Sequence, residues 1–536
     1  MPHPSRLRVR AGLIVVVLTS AIAMLALALP AAAPAAPPGC ANRTNNTYDK
    51  LLDCVTLEGV RAHQAEFQEI AEANDDFFYP GTRAAGTEGY ADSAQYVASK
   101  LRGAGYTVTL DEFQFEFAGA LLQQTAPVSA RYATGAFTAS GEGAVTDRIV
   151  VPVDINLVPP RANDSGCTND ATSGLPENDF AAFPAGAIAL IQRGTCTFGE
   201  KASNAQAAGA SAVIIFNQGN TPDREPLIVG TLLPLPGGAP PITIPVVGGS
   251  FANGVALAQA GSRATVSVLL ETRTDVNVIA ELAGDNANNV VMAGAHLDSV
   301  TQGPGINDNG SGSAAILETA LMIAKVKPEN TIRFAWWGAE ELGLLGSTAY
   351  VEGLSQAERD RIALYMNYDM VGSPNYFQGV YDADKSTFAA VGVPIPTGST
   401  AIEDVYESYY TMVDEPYDDS EFSGRSDYQA FIEADIPSGG LFTGAEVLKT
   451  PAQVAIWGGT AGQQFDPCYH IACDTFANFN AHALNVNSDL IAFAQLTFAF
   501  STQSVNGVAG KSVPGSASSP LPTPAGPEGT FPDQTP

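Results

Sequence analysis

Basic residues are scarce in this sequence of 536 residues, where 26 Lys and Arg stand against 56 Asp and Glu, a formal net charge of −30. A chain with this charge repels phosphate backbones, which argues against a nucleic-acid partner. The acidic surplus promotes solubility, and it leaves open that some carboxylates bind cations, a structural calcium ion among them. Histidine is also rare, with 5 residues.

Long apolar runs are missing after the N-terminal segment. Residues 1–36 contain basic residues, then an apolar run at 11–29, then small residues. This order predicts a secretory signal peptide, with an N-terminal membrane anchor as the alternative. Later apolar stretches such as 290–295 have only the length of a strand. We therefore expect a secreted, extracellular protein with no membrane segment after cleavage.

The 6 cysteines include no pair with CxxC spacing, which argues against a redox motif and against a zinc site built from cysteines. In an exported protein, cysteines predict disulfides. The sequence alone leaves their pairing open. A local set is favoured because each pair falls within one apparent structural unit: Cys40 with Cys54, Cys167 with Cys196, and Cys468 with Cys473.

The character of the chain changes along its length, which predicts more than one domain. Residues 37–121 and 272–503 alternate helical and strand patterns, as a doubly wound, mostly parallel but mixed α/β sheet flanked by helices requires. Residues 122–271 contain short strand patterns between Gly, Pro and Asn clusters, which predicts an inserted β-rich domain. Residues 504–536 are rich in Ser, Pro, Gly and Thr and are predicted to be a disordered tail.

Three predicted strands in the second half of the chain, at 290–295, 331–337 and 362–368, are each followed by His, Asp or Glu. The carboxyl ends of parallel strands share one edge of the sheet, where ligands bind. The side chains after these strands should therefore converge: His296 and Asp298, then Glu340 and Glu341, then Asp369.

Two loops complete this set. A Gly-rich loop at 303–312 contributes Asp308, and the loop at 466–474 contributes His470. Singly, such residues have structural alternatives as turn, helix-end or hydrogen-bonded side chains. Jointly, two imidazoles and three carboxylates suit a pair of zinc ions better than copper or an iron–sulfur cluster, with manganese or cobalt as possible substitutes.

The motifs around these residues resemble the co-catalytic zinc aminopeptidases, the family of aminopeptidase Y and the secreted Streptomyces leucine aminopeptidases. Within the predicted insertion, residues 187–217 resemble the protease-associated (PA) domain of exported hydrolases. The motifs that carry the first resemblance are AHLDS at 295–299, NDNGSG at 307–312, WGAEELG at 337–343, NYDM at 367–370 and CYH at 468–470.

The resemblance implies a role for each metal-binding residue. Asp308 is expected to bridge two zinc ions, with His296 and Asp369 on one ion and Glu341 and His470 on the other. The family also implies a cis peptide bond after the bridging aspartate.

The resemblance also implies roles for residues that bind no metal. Glu340 is expected to be the general base, Asp298 to orient a metal-bound imidazole, and Tyr469 to donate a hydrogen bond to the oxyanion. Gly424 and Arg425 match the segment that contacts the free N-terminus of the substrate.

The implied function is that of a zinc-dependent aminopeptidase. Its expected substrates are peptides or proteins with a free N-terminus, and it is expected to prefer a leucine-like first residue. Phe422, Tyr428, Phe431 and Phe442 are candidates to line a hydrophobic pocket, with core packing as the alternative. Carboxypeptidases, dipeptidases and a single-zinc cyclase share the architecture and stay alternatives, as does a receptor-like binding protein without chemistry. We expect a monomer.

Overall fold

The computed structural model describes residues 39–168, 178–389, 393–516 and 521–528. The predicted signal peptide lies outside these ranges. Within them, no helix has the length and apolarity needed to cross a membrane. The helices are α1 (Tyr48–Leu52), α2 (Leu57–Ala73), α3 (Glu88–Ala104), α4 (Phe198–Ala207), α5 (Phe251–Leu257), α6 (Gly310–Ile323), α7 (Leu345–Gly353), α8 (Gln356–Arg359), α9 (Ser399–Val413), α10 (Tyr428–Glu433), α11 (Pro451–Trp457), α12 (Ala481–Phe500) and α13 (Gln503–Asn506). The strands are β1 (Thr107–Ala126), β2 (Ala130–Tyr132), β3 (Gly143–Pro152), β4 (Ile188–Gln192), β5 (Ala212–Phe216), β6 (Val246–Gly249), β7 (Arg263–Leu282), β8 (Asn286–His296), β9 (Asn330–Trp337), β10 (Ile362–Tyr368), β11 (Gly379–Tyr381), β12 (Asp418–Ser420) and β13 (Ser438–Phe442).

A mixed sheet with a parallel centre organises the larger part of the chain. Its strand order is β12-β11-β13-β10-β8-β9-β7. Strands β13, β10, β8 and β9 run parallel, whereas β7 is antiparallel to β9 and β11 is antiparallel to β13. Helices cover both faces. The predicted doubly wound, mixed α/β fold is confirmed.

The central strands are largely apolar because both of their faces are buried. Every residue of β9, including Trp336 and Trp337, is buried. On one face the strands contact a core contributed by α2, α3, α6 and α12. On the other face, α7 and α10 pack on the sheet, and the ring of Phe431 stacks on Tyr365 at 3.8 Å between centroids.

Helix α6 approaches the end of β10 closely enough to require glycine. A Cβ added at Gly312 would lie 2.1 Å from the carbonyl oxygen of Tyr368. Asn309 caps this helix by accepting a hydrogen bond from the Gly312 N–H, and its side-chain amide donates to the Tyr368 carbonyl oxygen at 2.8 Å. This contact brings the loop before α6 beside the loop after β10.

A long antiparallel ribbon of β1 and β7 leads from this sheet into the inserted region. The pairing runs from Thr107 opposite Glu281 to Ala126 opposite Arg263. At its far end, β7 pairs with β3, from which the parallel strands β4, β5 and β6 continue. The predicted boundaries at 121/122 and 271/272 therefore lie inside continuous strands.

The segment after Ser504 differs from the predicted disordered tail where the structure describes it. The Lys511 N–H donates to the carbonyl oxygen of Phe500 at 2.9 Å, and the Glu528 N–H donates to that of Tyr417 at 2.9 Å. Val513 is buried in the core that contains α12. A few apolar residues and main-chain hydrogen bonds hold this segment, which composition alone does not reveal.

The predicted disulfides are confirmed by the structure. Their Cα–Cα distances are 5.6 Å for Cys40–Cys54, 5.7 Å for Cys167–Cys196 and 5.2 Å for Cys468–Cys473. All three distances lie in the ordinary range for disulfides. The third bridge closes the loop that carries His470.

Candidate active site

The side chains predicted to converge meet at the carboxyl edge of the parallel strands. His296 Nε2 lies 3.2 Å from Asp369 Oδ1 and 3.3 Å from Asp308 Oδ1. His470 Nε2 lies 3.1 Å from Asp308 Oδ2 and 3.1 Å from Glu341 Oε2. The two imidazoles thus face different oxygen atoms of one carboxylate. Two groups of three ligands share Asp308.

The donor atoms fit zinc. A tetrahedral zinc ion at about 2.0–2.1 Å from its ligands separates those ligands by about 3.3–3.4 Å, which is close to the spacing in both groups. Asp308 Oδ2 and Glu341 Oε1 are buried and accept no hydrogen bond. Buried carboxylate oxygens without a donor are costly unless a cation faces them.

The charge of the site also calls for a cation. Burial alone would lower the pKa of His470, but the carboxylates of Glu341 and Asp308 raise it to about 11. Burial raises the pKa of Glu341 to about 7, and His470 opposes that shift. These carboxylates therefore stabilise positive charge between them, which a metal ion supplies while it leaves the imidazole neutral.

Residues in left-handed backbone conformations stand next to the ligands. The φ angles are 54° at Ala339, 61° at Leu344, 57° at Met370 and 57° at His470. Each such conformation costs a non-glycine residue about 1–3 kcal/mol and persists only where the surroundings enforce it. These residues lie in the turns after β9 and β10 and in the cysteine loop. The ligands are thus positioned by backbone conformations of higher energy. The peptide bond between Asp308 and Asn309 is cis, as predicted.

Asp298 supports the site in two ways. Its carboxylate accepts the backbone N–H of Glu340 at 3.1 Å and that of Glu341 at 3.3 Å. Its Oδ1 lies 3.6 Å from His296 Nδ1, while its own carbonyl oxygen lies 3.2 Å from that nitrogen. The shorter contact with the imidazole is therefore made by the main chain of Asp298, and the carboxylate holds the paired glutamates.

Sequence reasoning missed two residues that support the ligands. Asp474 accepts the backbone N–H of Asn307 at 2.8 Å and that of Asp308 at 2.9 Å. The Ser426 hydroxyl donates to Asp369 Oδ2 at 2.7 Å. Asp474 closes the cysteine loop in sequence, which was a usable signal, whereas nothing local marks Ser426.

Arg83 is a third supporting residue that the sequence did not reveal. Its side chain is fully buried, and its guanidinium donates to the carbonyl oxygens of Leu297, Pro304 and Gly305. It thereby fixes the loop that joins the His296 strand to Asp308. Arg83 lies far upstream, before α3, so only the tertiary structure connects it with the site.

Glu340 and Tyr469 are the predicted proton-transfer and hydrogen-bonding groups. Glu340 Oε2 lies 3.9 Å from His296 Nε2, and burial raises the pKa of its carboxyl well above the ordinary value, with His296 opposing the shift. The Tyr469 ring stacks on His470 at 3.7 Å between centroids. Burial raises the pKa of its phenol, so the hydroxyl keeps its proton and can donate.

A cavity of about 370 Å³ opens beside the ligands and is lined by Glu340, Glu341, Asp369, Tyr469, Gly424 and Arg425 together with apolar side chains. Leu344, Met370 and Phe442 supply the apolar part of the wall. Of the aromatic residues predicted for a pocket, Phe442 lines it. The other three, Phe422, Tyr428 and Phe431, lie in the core beneath.

Gly424 and Arg425 border this cavity but also have partners within the chain. The Gly424 N–H donates to the Tyr428 hydroxyl at 2.8 Å, in a left-handed conformation with φ 81°. Arg425 Nη1 lies 3.1 Å from Glu446 Oε1. Their predicted contact with the substrate N-terminus stays a prediction.

A second cavity, of about 330 Å³, reaches the ligands from the side of the inserted region. Glu341, Leu342 and His470 belong to its wall on the catalytic side. Gly135, Ala136 and Val229 of the inserted region and Phe117 of β1 also line it. The insertion therefore forms part of the surroundings of the ligand groups.

Comparison with known proteins gives the family. The sequence model of peptidase family M28 matches residues 277–495, and that of the PA domain matches residues 153–257. An aminopeptidase of Pseudomonas aeruginosa is 45% identical over 466 residues, which are 85% of this chain and 83% of that protein. The chain belongs to peptidase family M28.

The chain is also similar to a second curated protein and to a solved structure. Leucine aminopeptidase 2 of Trichophyton equinum is 38% identical over 462 residues, 84% of this chain and 86% of that protein. The structure of a zinc aminopeptidase from Bacillus subtilis matches with a TM-score of 0.59 at 26% identity, covering 82% of this chain and 93% of that one. The M28 peptidase is a zinc-dependent aminopeptidase with an inserted PA domain, which acts on peptides. The predicted family and enzyme class are confirmed.

Proposed function

We propose that this M28 aminopeptidase uses two zinc ions to release the first residue of a peptide. Asp308 would be a ligand of both ions. The bridging geometry of this carboxylate carries the proposal, because its two oxygen atoms face different imidazoles at 3.3 and 3.1 Å. His296 and Asp369 would hold one ion, and Glu341 and His470 the other. A single-metal site would need only one of these groups.

Glu340 is assigned as the general base. Bound zinc supplies Lewis acidity, which lowers the pKa of a water molecule and polarises a carbonyl group. The Glu340 carboxylate takes the proton of the attacking water and returns it to the nitrogen of the leaving peptide. Its raised pKa suits this task, since a base with a pKa nearer to neutrality accepts a proton more readily.

Tyr469 and the carboxylate wall complete the proposed chemistry. The Tyr469 hydroxyl, protonated over the working pH range, donates a hydrogen bond to the oxyanion that forms at the scissile carbonyl. The acidic groups of the cavity, with Glu340 and Asp369 among them, favour the α-amino group of a free N-terminus. An N-terminally acetylated peptide lacks that amino group and should be a poor substrate.

The two cavities suggest where the two parts of a peptide substrate bind. The cavity with Leu344, Met370 and Phe442 suits an apolar first side chain such as leucine. The cavity bordered by Leu342 and Val229 would receive the residues after the scissile bond, so that the PA domain contacts the leaving peptide. Specificity for a hydrophobic first residue follows from the first cavity.

We also propose that the protein is secreted and acts as a monomer. Disulfides such as Cys40–Cys54 form in oxidising compartments, which supports export. Light scattering of the purified protein measures the mass, and recovery of the chain from culture medium without residues 1–36 measures export. A dimer, or retention of the N-terminal segment at the membrane, would contradict these assignments.

Metal analysis together with an activity assay tests the main proposal. We expect two zinc ions per chain, hydrolysis of leucine p-nitroanilide, much slower hydrolysis of the aspartate analogue, and no hydrolysis of N-acetyl-leucine p-nitroanilide. The acetylated substrate is the matched control for the free amino group. Full activity with a single zinc ion per chain would contradict the bridging role of Asp308.

A further inference from the structure

Strand β1 has a free edge where it passes the second cavity. On one side, β1 pairs with β7 from its first residue to its last. On the other side, its strand partner within the described chain is β2, which covers residues 122–124. The edge of β1 at 107–121 is therefore not covered by a strand. Residues 116–118 of this edge line the cavity of about 330 Å³, together with Glu341 and His470.

The backbone groups of β1 that point to the free edge can be identified from Tyr79. The Tyr79 hydroxyl donates to the carbonyl oxygen of Ala118. Burial raises the pKa of this phenol, and the N–H of Ala120, which faces the same hydroxyl, opposes the shift. In an antiparallel pair, the N–H and C=O groups of one residue point to the same side, and those of the next residue point to the other side. Ala118 and Ala120 therefore direct their backbone groups away from β7.

The same alternation places open backbone groups at the second cavity. The register of β1 on β7 has no irregularity between Thr107 and Gln124, so every even-numbered residue of this stretch points away from β7. The C=O of Glu116 and the N–H of Ala118 thus face the cavity side of the strand. In the described part of the chain, no side chain forms a hydrogen bond with either group. Such an acceptor and donor on an open edge are what an extended peptide uses when it adds a strand to a sheet.

The inserted region leaves room beside this edge. After β2, the chain turns away from β1 toward the PA sheet, where the carbonyl oxygen of Gly135 accepts the N–H of Gly248 at 2.9 Å. The next residue, Ala136, pairs with Val247. Gly135 and Ala136 still line the cavity. The cavity therefore lies beside β1 where β2 would run if it continued.

We propose that the leaving part of a peptide substrate binds as an added strand along the free edge of β1, at Glu116 and Ala118. This inference rests on the proposed function, in which the second cavity receives the residues after the scissile bond. A compact cavity of about 330 Å³ is about 7 Å wide, which an extended peptide crosses in about two residues at about 3.3 Å each. Main-chain hydrogen bonds hold a peptide whatever its side chains are. The enzyme should therefore accept varied residues after the first, provided that they are extended.

Substrates with an ester in place of one peptide bond test the proposal on the unchanged enzyme. In the pentapeptide Leu-Ala-Ala-Ala-Ala, such an ester removes the N–H of either the third or the fourth residue. Alternate residues of a strand face its neighbour, so only one of these two N–H groups can donate to β1. We expect kcat/KM for the release of leucine to fall by about 2- to 10-fold with one ester and to stay unchanged with the other. Equal values for the two esters would overturn the proposal.

Proline variants assign the effect to β1. Ala118→Pro removes the N–H that faces the cavity, and an edge strand tolerates proline where the missing N–H points outward. The ratio of kcat/KM for the all-amide pentapeptide to that for leucine p-nitroanilide should fall by about 2- to 10-fold. Gln114→Pro is the matched control, because Gln114 points to the same edge but is not among the residues that line the cavity. Its ratio should equal that of the unchanged enzyme.

The remaining outcomes separate this inference from the proposed function. An unchanged ratio in Ala118→Pro would contradict strand addition at β1. If that variant fails to fold, the two esters decide the matter with the unchanged enzyme. Failure to release leucine from both the anilide and the all-amide pentapeptide would contradict the proposed function itself.

Discussion

The strands of the catalytic sheet and those of the PA sheet end in different chemistry, although both sets run parallel and alternate with helices. At the catalytic edge, His296 ends β8, the paired glutamates follow β9, and Asp369 follows β10. At the corresponding edge of the PA sheet, Gln192 ends β4, and its amide donates to the carbonyl oxygens of Asn156 at 3.1 Å and Gln218 at 3.0 Å. The same topological position thus carries the candidate metal ligands in one region and fastens loops in the other. The parallel topology provides a shared edge in both sheets, and the residue types at the strand ends determine what that edge can bind.

Replacing the base should have the largest effect on catalysis. Glu340→Gln keeps the size of the side chain but cannot accept the proton of water, so kcat should fall by about 10²–10⁴. The measurement is kcat for leucine p-nitroanilide, with zinc content determined on the same sample. Retention of the full zinc content is the control, and activity close to that of the unchanged enzyme would rule out Glu340 as the base.

Loss of the charge that holds both glutamates should have the next largest effect. Asp298→Asn weakens the acceptor of the Glu340 and Glu341 N–H groups and the carboxylate near His296. Zinc affinity should fall by about 10- to 100-fold, as for other residues that orient metal ligands. Competition with a chelator of known affinity measures it. Unchanged affinity would mean that the backbone positions the glutamates without this carboxylate.

The PA domain should influence peptides more than small substrates. Val229→Ser replaces an apolar wall residue of the second cavity with a polar one. We expect KM to rise about 2- to 10-fold for a leucine-initiated tetrapeptide, because less apolar surface is buried there. KM for leucine p-nitroanilide should stay the same, which makes it the internal control. Equal changes for both substrates would contradict a contact with the leaving peptide.

The amide at the PA strand end should matter for stability and not for catalysis. Gln192→Met removes the donors to Asn156 and Gln218 and the acceptor of the Asn156 N–H, leaving partners that are half-buried at Asn156 and buried at Gln218. Leaving such groups unpaired costs about 1–3 kcal/mol. Denaturant unfolding measures the free energy, and Gln259→Met, at an exposed position, is the control. A loss of kcat with unchanged stability would instead give this edge a catalytic role.

The smallest expected effect is a change in the pH dependence of stability. Burial lowers the pKa of Lys201 in the PA domain to about 8 from its ordinary value of 10.5. Between these values the unfolded chain binds more protons than the folded one, so the contribution of Lys201 to stability rises with pH across this window. Lys201→Met should flatten that rise in a plot of Tm against pH. Lys325→Met, an exposed position, should leave the slope unchanged. An unaltered slope in Lys201→Met would mean that the amine keeps its ordinary pKa in the folded state.

Much of the fold could be predicted because its signals are local. Strand β10 at Ile362–Tyr368 has the predicted bounds, since a buried apolar run is visible in consecutive residues. Helix α6 starts at Gly310, inside the Gly-rich loop predicted at 303–312. Glycine disfavours helices, but the close approach of Gly312 to β10 requires it, and this contact joins distant parts of the sequence.

The residues of the candidate site likewise fall into those that local sequence signals predicted and those that they did not. The strand-end pattern brought out the residues that now form the two ligand groups, because parallel topology converts sequence position into a shared edge. Arg83 and Ser426 escaped notice, since each acts through a hydrogen bond to a residue remote in sequence. Supporting groups of this kind carry no spacing signal.

The β1–β7 ribbon limits how the enzyme could be shortened. Because each strand is one continuous piece of backbone that serves both sheets, cutting at 121 and 272 would sever a ladder in mid-length and bare strand edges that invite pairing with other chains. A shortened enzyme would have to be rejoined where the two strands already face each other, for example between Phe115 and Arg273. The insertion is therefore joined to the catalytic region by two continuous paired strands. Whether it can be removed depends on where these two strands are reconnected.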